Sequence, residues 1–326
     1  MKIFQSLIIV CSMGLVACQH SSVQTQTQVS QIPPDASSQL NSVPAKSAST
    51  KKKPVIALVL GSGGARGYAH IGAIEILEEN GIKPDFIVGT SAGSIVGSIY
   101  ASGKTAKELR EVALNMQVSD VRDISIGLQG FFDGKKVENY VNKQVENTPL
   151  EKLKIPMYVV ATELKHGEKV VFNQGNTGQA VRASISIPSM FVPTVISGTE
   201  YVDGGLVSPV PVNVARELGA DIVIAVDILA QPIHTETKNV WGMFNQNINI
   251  MQGKLAEEEL KKADVVIQPD LREKAHIFEV KGRSETMQAG KDATLANLPK
   301  IKSLINSKQK RKSENNNYLL VKEGSS

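Results

Sequence analysis

Gly89-Thr90-Ser91-Ala92-Gly93 is the segment of this sequence whose spacing most directly implies chemistry. It fits G-x-S-x-G and lies between a short buried-strand pattern at 84–88 and an apolar run of small residues at 91–101. That is the strand-to-helix setting a nucleophile elbow requires. In such a turn side chains at 89 and 93 would collide with neighbouring elements. Ser91 Oγ is lifted clear of the sheet, and the positive end of the following helix favours an oxyanion. A second glycine-rich stretch, Gly61-Ser62-Gly63-Gly64-Ala65-Arg66-Gly67, follows the apolar run at 55–60. It fails the dinucleotide pattern G-x-G-x-x-G because Arg66 stands where glycine is needed, and it fails the P-loop pattern because it ends in Gly67-Tyr68. What remains is a set of backbone N–H groups converging at a helix N-terminus, suited to a small anion. Beside an elbow serine that anion is the tetrahedral oxyanion of ester cleavage, where losing one donor costs about 2.7–4 kcal/mol in the barrier. Gly63 and Gly64 are the principal candidate donors, with Ala65 or Arg66 adding one. The Arg66 side chain has two other readings, binding a phosphate head group or tying down its own loop.

The serine needs a base, and none of the five histidines is well placed. His20 lies in a polar stretch, His166 in a polar turn and His234 in a loop. His70 shares a helical face with Ile74 and Leu77 and reads as a packed core residue, while His276 alternates with Phe278 and Val280 and also reads as structural. Asp203, in Tyr201-Val202-Asp203-Gly204-Gly205 after a short strand, is the better candidate, because paired glycines let another loop approach closely. A free carboxylate with a pKa near 3.9 is a weak base. Burial beside the nucleophile raises its basicity, and general-base assistance is worth roughly 10²–10⁴-fold. Asp120, Asp123 and the acidic residues at 257–259 read as solvated helix faces and not as a metal set, so no metal or organic cofactor is expected.

Taken in order, Gly61 to Gly67, Gly89 to Gly93 and Asp203-Gly204-Gly205 resemble the patatin-like phospholipase family, most closely its bacterial branch related to the neuropathy target esterase catalytic domain. The stretch from Ala183 to Pro193 is similar to the segment preceding the family's aspartate. The resemblance covers about residues 55–227 and continues faintly to about 304. It implies an α/β/α sandwich, Ser91 as nucleophile, Asp203 as the base of a Ser–Asp dyad, Gly63-Gly64 as the core of the oxyanion hole, and a phospholipid or lysophospholipid substrate. Ser62 departs from the pattern, since many members have a third glycine there; the flanking donors are left intact. A transacylase would use the same residues, and a lipid-binding lipoprotein with a silent dyad is the reading from another class.

These residues have to be held by a sizeable fold. The 326 residues are 41% hydrophobic and 21% charged, which excludes a disordered chain and supports one large domain or two modest ones. A net charge of +4 with 5% aromatics does not indicate nucleic-acid binding. Buried-strand patterns at 55–60, 84–88, 157–162, 169–172, 200–202, 222–227 and 265–268 alternate with helical patterns at 68–80, 91–101, 106–116, 135–145, 178–184, 212–218, 240–262 and 283–305. That alternation predicts an α/β/α sandwich with a mostly parallel sheet. Trp241, Phe244, Ile248, Met251 and Leu255 recur at spacings of three and four. The stripe packs against the domain or a second subunit, or else forms an acyl-chain wall or membrane-contacting lid. Phe131-Phe132 invites a similar reading.

Both cysteines fall in the first eighteen residues. A basic start, an apolar stretch too short to span a bilayer, and Leu15-Val16-Ala17-Cys18 form a secretory signal whose end resembles the lipobox of bacterial lipoproteins. This implies a signal peptide at 1–17, lipidation of Cys18, and attachment to the cell envelope. Gln19 after the cysteine favours the outer membrane, facing the periplasm. Residues 18–53 form the lipidated cysteine and a polar tether, in which about 34 residues span roughly 30–35 Å as a flexible coil. The catalytic domain is expected at 54–306 and a loose polar tail at 307–326. The sequence leaves oligomeric state open.

Overall fold

A computed structural model describes residues 53–124, 130–229, 238–271 and 282–323. Cys18, His20, His234, His276, the signal segment and all but the last residue of the tether lie outside these ranges. Five strands run parallel: β1 (Ile56–Leu60), β2 (Phe86–Thr90), β3 (Met157–Glu163), β7 (Ile222–Val226) and β8 (Val265–Ile267). Three pair antiparallel: β4 (Lys169–Phe172), β5 (Thr194–Ile196) and β6 (Thr199–Asp203). The order is β5-β6-β3-β2-β1-β7-β8, with β4 paired along β3. This is the mostly parallel α/β architecture expected from the alternating patterns.

Side chains alternate across a strand, so a strand buried on both faces serves two cores. In β1, Ile56, Leu58 and Leu60 enter a large core with residues of α1 (Tyr68–Glu79), α2 (Ala92–Ala101), α3 (Ala106–Asn115), α5 (Lys135–Gln144), α6 (Thr177–Ile185) and α9 (Arg283–Glu323). The smaller Ala57 and Val59 face a thinner core formed with α7 (Val212–Glu217) and α8 (Val240–Leu260). A short α4 (Val118–Val121) connects toward α5.

The register around β3 explains how distant residues meet. β2 pairs with β3 as far as Thr90 opposite Val160, and β6 takes over with Asp203 opposite Ala161. The C-terminal ends of β2 and β6 therefore arrive at consecutive residues of one strand. Two differences from the sequence reading stand out. Helix α9 continues to Glu323, where a loose tail was expected from 307. Between Pro299 and Gly324 nothing stops the helix, and Lys312 Nζ bonds Asp221 Oδ2 at 2.6 Å, so polarity alone was a poor guide. Strand β5 and helix α4 were not anticipated, being three and four residues long.

Candidate active site

Ser91 sits between β2 and α2 with φ 53° and ψ −118°, a conformation that costs a non-glycine residue strain. The surroundings enforce it. A Cβ on Gly93 would lie 2.0 Å from the Leu60 carbonyl oxygen, and one on Gly89 would lie 2.6 Å from that of Gly93. Only glycine at both positions lets the turn close against β1. The Ser91 N–H donates to Ser184 Oγ at 2.8 Å, and Ser184 Oγ donates to the Val160 carbonyl at 2.6 Å. Ser94 Oγ donates to the Ser91 carbonyl at 2.6 Å. The elbow is thus fixed from β3, α6 and its own helix.

Asp203 ends β6 and is buried. Ser91 Oγ donates to its Oδ2 at 2.7 Å, and the Gly205 N–H donates to its Oδ1 at 2.6 Å. Its backbone is held on both sides, the N–H by the Ser186 carbonyl at 2.9 Å and the carbonyl by Thr162 Oγ1 at 2.8 Å. Burial pushes the carboxyl up to about 6, against the pull of the Ser91 and Gly205 donors. Gly204 has to be glycine, because a Cβ there would meet the Val160 oxygen at 2.2 Å. The structure thus brings together the serine and the aspartate that sequence reasoning chose, 112 residues apart.

The glycine loop runs from β1 into a 3-10 turn, Gly64–Gly67, at the head of α1. It is pinned at its start: the Gly61 N–H donates to the Val226 carbonyl, the Ser62 N–H to that of Pro209, and His70 Nε2 bonds the Gly61 oxygen at 2.9 Å. Burial pushes His70 down to about 4, so it is neutral and structural, as its helical face suggested. The four candidate donors are not equivalent. The Arg66 N–H is taken by the Gly63 carbonyl at 3.2 Å. Its buried guanidinium ties the loop to the Ile228 carbonyl through Nε at 2.8 Å, and desolvation lowers its pKa to about 10, opposed by the charge of Asp227. Gly63 packs against Ile228, where a Cβ would come within 2.7 Å of its side chain. Gly64 and Ala65 open into the same cavity as Ser91.

That cavity holds about 260 Å³ and is almost wholly apolar. Its walls include Ile95 and Ile99 of α2, Leu109 and Ala113 of α3, Val121 of α4, and Phe191. Phe132 lines it, whereas Phe131 is 66% exposed. The acyl-wall reading of α8 is corrected here: among the described residues, α8 contributes none of the walls. Its inward face is Asn249, Gln252, Ala256 and Glu259, while Met251 and Leu255 of the expected stripe are 57% and 38% exposed. The reason is local: the helix lies over the loop after Asp203, where Ser208 Oγ donates to Glu259 Oε1 and Gln252 Nε2 lies beside Gly205, so polar residues of α8 go inward. Glu259 accordingly leaves the solvated set to which its charge assigned it. Among the described residues no group of three or more His, Cys, Asp or Glu is arranged to hold a metal ion.

Sequence reasoning missed Ser184, Ser186 and Thr162 as supports of the site. The available signal was two serines alternating with isoleucine at 184–187, polar residues in an otherwise apolar stretch.

A glycine-tight elbow, a serine bonded to a buried aspartate and a pinned glycine loop on this sheet define a serine-hydrolase-like site. Residues 58–216 match the family model described as patatin-like phospholipase, and this part of the chain is a domain of that family. An uncharacterized NTE family protein of Mycobacterium tuberculosis is 38% identical over 177 residues, covering 54% of this chain and 49% of that one. Human patatin-like phospholipase domain-containing protein 6 is 34% identical over 185 residues, 54% of this chain and 13% of the relative. The chain therefore spans about half the length of the first relative and a small part of the second. Among solved structures, VipD from Legionella pneumophila aligns at 15% identity with a TM-score of 0.49, covering 78% of this chain and 67% of that one.

Proposed function

We propose that the protein is a serine lipid acyl hydrolase of the phospholipase A or lysophospholipase type. The observation that carries this reading is the 2.7 Å bond to buried Asp203 from Ser91 Oγ, a residue that lines an apolar cavity. Asp203 accepts the hydroxyl proton as Ser91 Oγ attacks the ester carbonyl, forming a C–O bond and a tetrahedral oxyanion. N–H groups of the glycine loop, Gly64 and Ala65 foremost, stabilise that charge without reorganising. Collapse of the intermediate breaks the ester C–O bond, and Asp203 gives its proton to the departing alcohol. Water deprotonated by the same carboxylate then attacks the acyl-serine, releasing the fatty acid and restoring the serine. The acyl chain occupies the cavity, gaining about 0.8 kcal/mol per buried methylene.

The substrate lies in a membrane, and the same reading keeps the enzyme there. Lipidation of Cys18, with more than one acyl chain, anchors it to the envelope durably, and residues 18–53 serve as the leash. The test is hydrolysis of diacyl and lysophospholipids of several chain lengths by wild type, Ser91→Ala and Asp203→Asn. Fatty-acid release by wild type and loss of at least about 10³-fold in both variants is expected. Undiminished release by Ser91→Ala would remove the proposed nucleophile. Adding competing alcohols to the same assay separates hydrolysis from transacylation.

A further inference from the structure

Among the described residues, three buried carboxylates take no part in the mechanism; two of them, Glu75 and Glu138, are ion-paired with Lys291 and Arg182. Glu259, on the inward face of α8, is only 6% exposed, and its Oε1 accepts a 2.6 Å hydrogen bond from Ser208 Oγ. A carboxylate in such a place costs folding free energy unless its hydrogen bonds are good, and a leucine would fill the site more cheaply. What Ser208 touches gives the carboxylate a purpose. Ser208 is 1% exposed and lies five residues after Asp203, in the loop that turns away from the site. Its N–H donates to the Gly204 carbonyl at 2.9 Å, closing the turn that begins at Asp203. Its carbonyl accepts from Thr90 Oγ1 at 2.9 Å, and Thr90 is the residue before Ser91. One residue therefore bonds the aspartate loop, the serine elbow and α8 at once, using its N–H, its carbonyl and its hydroxyl.

We infer that Glu259, acting through Ser208, is a positioning residue that holds the Asp203 loop in register with the Ser91 elbow. The reading rests on Ser91 and Asp203 being the reacting pair. A hydroxyl bonded to a carboxylate is stronger and better directed than one bonded to a neutral oxygen, which suits a fixed anchor. Burial pushes Glu259 up to about 7, while the Ser208 hydroxyl, the Lys169 ammonium from β4 and the N–H groups of Val210 and Asn213 pull the other way. Gln252, about two helical turns earlier on α8, braces the same loop: its Nε2 would lie 2.3 Å from a Cβ on Gly205. Helix α8 is thus a strut for the base, seated by polar contacts.

The test uses the full chain with Glu259→Leu, Glu259→Gln and Ser208→Ala, measured for kcat and KM on an ester substrate, for thermal unfolding, and for hydrogen exchange of the 204–210 amides. Glu259→Leu and Ser208→Ala are expected to lower kcat about tenfold or more with KM within about twofold, because misplaced groups cost rate and not binding. Glu259→Gln, which keeps an oxygen acceptor, is expected to recover most of that loss. The melting temperature of Glu259→Leu should stay within a few degrees of wild type or rise, while exchange at 204–210 quickens. Wild-type kcat in Glu259→Leu, or a loss that only tracks reduced stability, would overturn the inference. The exchange measurement separates the two readings: faster exchange in Glu259→Leu supports the clasp even if no ester is turned over by wild type, in which case only the enzyme reading falls.

Discussion

Asp203 carries the main tension of the site, a carboxylate that among the described residues is held by one hydroxyl and one backbone N–H and by no cation. Its pKa of about 6, set by burial, lies in the range that the proposed role as base requires for efficient proton transfer at neutral pH. In the proposed mechanism Asp203 acts when ionised, so the rate is expected to climb as pH rises through about 6 and level off above it. A pH–rate profile on a soluble ester checks this; an acid limb near 4 would contradict it. The sign for stability is opposite. The folded pKa lies above the unfolded value near 3.9, so the fold binds this proton more tightly, and that contribution, full at low pH, is lost as pH rises through about 6. Asp203→Asn is therefore expected to abolish turnover while stabilising the fold at pH 8 by about 1–3 kcal/mol. Thermal unfolding at pH 5 and 8 measures it, with a smaller gain at pH 5. Ser91 was legible in the sequence because five adjacent residues define its turn. Asp203 was legible as a turn residue beside two glycines, but its burial depends on two strands meeting at Val160 and Ala161 of β3, which no local pattern reveals.

Elements decide what the proposed Ser91–Asp203 pair can act on. The cavity wall is built from α2, α3, α4 and the segment around Phe191, pieces distant in sequence, and each looks locally like an ordinary core helix or loop. That is why conspicuous apolar spacing made α8 one candidate for such a wall, beside packing against the domain, when the cavity lined by Ser91 is built elsewhere. Periodicity identifies a stripe but not which neighbour it meets; the loop after Asp203 draws the polar side of α8 inward. Ala113 faces the cavity from α3. Ala113→Phe should shorten it, reducing turnover of long-chain esters by about tenfold relative to short ones, since each displaced methylene forfeits about 0.8 kcal/mol. Met251→Ala and Leu255→Ala, on the outer face of α8, should leave the chain-length profile unchanged. A profile that shifts with α8 and ignores Ala113 would place the acyl chain on the wrong side of the molecule.

For the whole molecule, the parallel strands set a polarity. Ser91, the glycine loop and Ile228 all follow C-terminal ends of strands, the edge where open α/β sheets bind ligands. The chain enters β1 at Ile56, the opposite edge. In the proposed anchored enzyme, slack is needed to bring Ser91 to the bilayer, which is the use proposed for residues 18–53. Cys18→Ala is expected to move the protein from the membrane to the soluble fraction and to abolish incorporation of labelled palmitate; unchanged fractionation would dismiss the anchor. The alternation of strands and helices made the sandwich legible, because burial on both faces writes itself into continuous apolar runs such as IALVL. The helical course of α9 past 307 did not, because residues 307–317 are all polar or charged and the ion pair with Asp221 is made across the fold. The most direct test of the central claim is covalent. Incubating the full chain with an ester-mimicking fluorophosphonate and mapping the adduct by peptide mass spectrometry should give modification at Ser91, lost in Ser91→Ala and slowed at least about 10²-fold in Asp203→Asn. Labelling at another residue, or equal labelling of Ser91 with and without the Asp203 carboxylate, would contradict the Ser91–Asp203 mechanism.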